Sequence, residues 1–139
     1  MVGRMNREME TGLLQAIVAI ASLVPLTMGA ASLIWGSAIL SGVEDPVPRD
    51  LDSHYRYLSG IFFLVGCGFV SCVHRIERKM QRFRLFGALV IAGGLGRALS
   101  LLEYGLPSTG HQLALVIELG VVPLLLVWQT RIARLYRQR

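Results

Sequence analysis

GGLGRALSLLEYGLP, residues 93–107, decides how this chain is read. It closes an apolar segment long enough to cross a bilayer, yet it carries Arg97 and Glu103. An ionisable group at membrane depth is costly, so it faces other protein and finds a partner. The next apolar segment supplies one candidate of opposite sign, Glu118.

Working outward, GLPSTG at 105–110 is a tight turn rich in helix breakers. It separates helices expected over 83–104 and 111–130, and so short a turn makes them antiparallel neighbours. Arg97 lies seven residues before Tyr104, and Glu118 lies seven after His111. At 1.5 Å per residue both sit about 10 Å in from the turn. The two charges therefore reach one level. An arginine can meet a carboxylate there through two parallel hydrogen bonds. Left alone, each would cost roughly 2.5–3.5 kcal/mol on insertion scales.

The rest of the chain repeats the pattern. Apolar spans are expected over 12–36 and 53–73, the first running on to about Leu40. That run continues well past the small residues at 29–31, which favours a span over a cleaved leader. Pro25 should kink it, and Gly29 and Gly36, seven apart, should share a face for close helix packing. Met1–Glu10 reads as a polar tail, and SGVEDPVPRDL at 41–51 as an acidic loop. Asp52 or Ser53 is placed to cap the second helix. HRIERKMQRFR at 74–84 is a basic loop, and RIARLYRQR is the C-terminal tail. The N-terminal tail, the basic loop and the C-terminal tail hold two, five and four Lys/Arg of the 14 present. The positive-inside rule then puts both termini in the cytoplasm.

Composition agrees with this class. The 139 residues make one domain, 1–139, with 53% hydrophobic residues, 17% charged residues and a mean hydropathy of +0.54. Soluble domains carry about 25% charged residues. The net charge of +5 lies in short blocks between apolar segments, as orientation signals do, so nucleic acid is excluded as a partner. The fold expected is all-α, a four-helix transmembrane bundle.

Polar residues gather toward the outer ends of the spans. Arg97, Ser100 and Tyr104 share a stripe on the third helix, with Glu118 opposite on the fourth. The second helix opens with SHYRYLSG, which adds His54, Arg56 and Tyr57. Arg56 has two outlets, joining Glu118 or snorkelling to headgroups. Pro123 should kink the fourth helix near the carbonyl of Leu119 and open space beside Glu118. His54 and His111 are not aligned as a ligand pair, and no closely spaced donor set exists, so no metal and no cofactor is expected. Cys67 and Cys72 are five apart, unlike a redox Cys-x-x-Cys. No nucleotide loop, nucleophile elbow or paired catalytic carboxylates is present, so no catalytic residue is assigned.

SHYRYLSG at 53–60, GRALSLLEYGLP at 96–107 and ELGVVPLL at 118–125 together resemble a bacterial family of small four-helix membrane proteins. That family is described only as a domain of unknown function, and in outline it is similar to the wider DoxX-like group. The resemblance implies Ser53, His54, Arg56, Gly60, Gly96, Arg97, Ser100, Gly105, Pro107, Glu118 and Pro123 as pattern positions. It implies a fold but no activity, and the membrane expected is the bacterial cytoplasmic one. The expectation is a multi-pass, non-catalytic membrane protein. Its polar cluster would bind membrane lipid or a small amphipathic ligand, or assist a membrane partner or a second copy of the chain. The alternative is a small membrane enzyme or transporter acting on an amphipathic substrate at the outer leaflet.

Overall fold

The computed structural model describes residues 2–137. Among these residues every regular element is helical. The order is α1 (Val2–Trp35), a 3₁₀ turn (Gly36–Ile39), α2 (Arg49–Val73), a second 3₁₀ turn (Ile76–Arg78) and α3 (Met80–Tyr104). Then come α4 (Thr109–Val116), a π turn (Ile117–Val121) and α5 (Val122–Arg137). The last three join into one stretch, Thr109–Arg137, so four helical stretches among the described residues are long and apolar enough to cross a membrane.

The helices exceed their apolar runs, and each extension has a cause. α1 begins at Val2, so the expected polar tail is helix. Met5, Arg7, Glu8 and Glu10 are good helix formers, and nothing before Gly12 breaks the turn. α2 begins at Arg49, four residues before the expected start. Its first turn closes when the Asp52 amide donates to the Pro48 carbonyl at 3.1 Å, and Asp50 and Asp52 favour the positive end of the helix dipole. The basic 131–137 tail is the last two turns of α5, which turn Ile132 and Ala133 inward.

The chain divides into two compact units, one of Met1–Ala16 with Cys72–Arg139 and one of Ile17–Ser71. In the 17–71 unit, α1 and α2 meet through two glycines. A Cβ on Gly29 would fall 2.9 Å from the Phe63 Cα, and one on Gly66 would fall 3.1 Å from the Leu26 nitrogen and the Pro25 ring. Backbone thus lies against backbone, which only a residue without a side chain permits. Gly36 faces α2 as well: a Cβ there would meet the Asp52 carboxylate and the Arg56 guanidinium. At φ +67° it ends α1.

The other unit has its core at one end, where Leu14, Ile76, Phe83 and Ile132 are buried. Ile76 comes from the stretch expected to be a basic loop. The Gln129 amide, also fully buried, donates from Nε2 to the Ile76 carbonyl at 2.9 Å. Gln15 Nε2 donates to the Val73 carbonyl at 2.8 Å and so satisfies an end carbonyl of α2. Between α2 and α3 the chain is therefore fastened, with one apolar side chain as its plug.

Candidate functional site

The hairpin of α3 and the stretch after it carries the site. Gly105, at φ +84°, closes α3 as its amide donates to the Leu101 carbonyl at 3.0 Å. Gln112 then fastens the turn, donating from Nε2 to the Pro107 carbonyl at 2.7 Å. Further in, Gly94 lets the two helices touch. A Cβ there would lie 2.9 Å from the Glu118 Cβ and 2.8 Å from a Leu119 methyl. Gly87 does the same against Leu126.

Glu118 stands on the π turn. The Val122 amide donates to the Ile117 carbonyl, five residues back instead of four. Pro123, one position later, has no N–H and its ring would crowd the Leu119 carbonyl in an unbroken α-helix. Widening the preceding turn by one residue relieves that crowding. The sequence reading expects a kink here. The structure shows a π turn just before the proline, and such turns recur at functional sites.

Arg97 reaches Glu118 with one nitrogen. Its Nε donates to Glu118 Oε2 at 3.0 Å and Oε1 at 3.2 Å. This differs from the parallel two-bond fork expected. The carboxylate side chain is 10% exposed and the arginine 37%. Among the described residues neither Arg97 Nη group has a hydrogen-bond partner. The buried carboxylate thus holds the guanidinium by its inner edge and leaves the outer edge with four N–H directions to offer. Such an edge suits a carboxylate, phosphate or carbonyl oxygen.

The remaining expected residues divide. Ser100 and Tyr104 are exposed, Tyr104 at 85%, and neither bonds Arg97 or Glu118. His54 and Tyr57 are exposed on α2. Arg56 has partners within its own unit. Its Nε donates to Asp52 Oδ2 at 2.7 Å, and its Nη1 donates to the Leu33 and Ile34 carbonyls, the orphan end of α1. Asp52 in turn accepts from the Ser37 amide at 2.8 Å and the Ser37 hydroxyl at 3.2 Å. Asp52 therefore caps nothing on α2. It joins the start of α2 to the end of α1. Sequence reasoning missed this because starting the helix at 53 hid the Asp52–Arg56 spacing of four. Tyr55, not Tyr57, is the tyrosine with a partner, the Ser32 hydroxyl at 3.0 Å. Among the described residues no group of three or more His, Cys, Asp or Glu is placed to hold a metal ion.

A family model described as "Domain of unknown function (DUF4345)" matches residues 13–129. No curated protein and no solved structure matches the chain.

Proposed function

Because the chain belongs to the DUF4345 family, whose function is unknown, we propose a role from its own residues. It is a multi-pass protein of the bacterial cytoplasmic membrane with both termini in the cytoplasm. It is non-catalytic and binds an amphipathic, lipid-like ligand in the outer half of its last two spans. The outline likeness to DoxX-like membrane proteins belongs to the same proposal.

One observation carries the reading: the outer edge of the Arg97 guanidinium is unpaired among the described residues while its inner edge is held by buried Glu118. A pair that only fixed helix register would do so best with both nitrogens of the fork engaged. Here Glu118 aims the arginine, and the Nη groups hold a carboxylate, phosphate or carbonyl headgroup. The Ser100 and Tyr104 hydroxyls, one and two turns further along α3, add contacts toward the membrane surface. His54, Arg56 and Tyr57 form a second polar group at the outer end of their own span. Arg56 there serves the Asp52 node first.

The test is mass spectrometry of whatever co-purifies with the wild-type chain, repeated for Arg97→Lys and Glu118→Gln. A binding site loses the small molecule in Arg97→Lys before thermal stability in detergent falls. A purely structural pair loses stability in both variants, with no molecule present at any stage, and that result would overturn the proposal.

A further inference from the structure

A second feature lies at the opposite end of the hairpin. The 3₁₀ turn and the last turns of α5 enclose a notch lined by Glu77, Arg78, Met80, Ala133, Tyr136 and Arg137. Glu77 and Arg78 come from the 3₁₀ turn and Met80 from the start of α3, and the other three come from the C-terminal turns, beyond the residues that match the family. Ile76 and Gln129 hold the two segments together.

The positive charges in the notch are only partly met. Arg78 approaches Glu77 only to 3.8 Å, too far for a hydrogen bond, and its side chain is 72% exposed. The Glu77 side chain is withdrawn, at 14%. Arg137 has no ion-pair partner among the described residues. By contrast Arg131, on the same helix, is taken by Glu10 at 3.2 Å. Tyr136 adds a hydroxyl, 3.4 Å from that of Thr11, and Met80 and Ala133 add apolar surface to the lining. Two exposed arginines lining one notch with apolar side chains match a phosphodiester that carries methylene groups. Arginine, with its planar fork, is the residue suited to that oxyanion.

Its level on the helix agrees. Ala133 and Arg137 lie five and nine residues past Trp128. That is about 8–14 Å at 1.5 Å per residue, where a tryptophan at the membrane interface would be followed by the phosphate layer. We infer that this notch seats the phosphate of an anionic phospholipid from the cytoplasmic leaflet. The inference rests on the membrane-spanning reading but not on the Arg97 site.

The full chain is placed in nanodiscs of phosphatidylcholine with and without phosphatidylglycerol, and retained lipid is read by native mass spectrometry. Wild type should retain phosphatidylglycerol preferentially. The preference should fall about fivefold for each arginine removed in Arg78→Gln and Arg137→Gln, the contribution expected of a basic residue facing anionic lipid. Arg75→Gln with Arg82→Gln removes the same charge at the same end and should leave the preference in place. Equal loss in that control pair would reduce the effect to diffuse attraction and overturn the site. Displacement of the lipid by inorganic phosphate at low concentration would assign the notch to a free anion and overturn it as well. Absence of four protease-protected spans in either lipid would strike the membrane reading itself, and this inference with it.

Discussion

A guanidinium has three nitrogens, and where each one goes separates a strut from a socket. Arg56 spends Nε and one Nη inside its own unit, on Asp52 and on the open carbonyls at the end of α1. Arg97 spends Nε alone. The first is a strut, and the residue that makes room for it is Gly36. Any Cβ there would collide with the Asp52 carboxylate and the Arg56 guanidinium, and the backbone is left-handed at φ +67°. Gly36→Ala should therefore cost more than the roughly 1–2 kcal/mol of left-handed strain alone, because it also disturbs the Asp52–Arg56 bond set. Thermal unfolding in detergent measures it. A loss no larger than that of Gly42→Ala, also at positive φ but with open space around it, would show that the strut contributes nothing.

At the scale of elements, the π turn is the part of the fold tied most directly to the site. It widens the helix at Glu118, one turn ahead of Pro123. Pro123→Ala restores a donor for the Leu119 carbonyl and removes the ring, so the extra residue can be reabsorbed. Losing one residue from a turn rotates the helix on its N-terminal side by about 100° against the helix on its C-terminal side. Glu118 would then swing away from Arg97. In a double-mutant cycle with Arg97→Gln and Glu118→Gln, the wild-type coupling should lie in the roughly 0.5–3 kcal/mol range of contacting groups, and in the Pro123→Ala background it should approach zero. Unchanged coupling would mean that something other than the proline holds the turn. The helical class and the shared level of Arg97 and Glu118 were legible, because hydrophobic run length and turn length fix both. The π turn was not, since a proline signals a missing donor without saying whether the helix bends or widens. Nor was Ile76: one apolar residue in a basic run carries no periodicity. The Asp52 node stayed hidden for a third reason, a helix start set by hydrophobicity when backbone hydrogen bonding carried it further.

At the scale of the whole chain, the proposed orientation follows from eleven basic residues shared by two tails and one connection. It can be read with single cysteines in a background of Cys67→Ala and Cys72→Ala. In intact cells a membrane-impermeant thiol reagent should label Glu44→Cys and Thr109→Cys. It should reach His74→Cys only after the membrane is opened. The reverse pattern would invert the chain and move the Arg97 site to the cytoplasmic half.

The fastening of Ile76 by Gln129 bears on how the protein can be handled. Connections between helices are the usual places to splice in an epitope or a fluorescent reporter, and the one after α2 looks generous from its charge. An insertion there would draw out a side chain with no exposed surface and strand the carboxamide that now feeds its carbonyl. The stretch around Gly42, where nothing lies within 4 Å of an added carbon, would accept a passenger more readily.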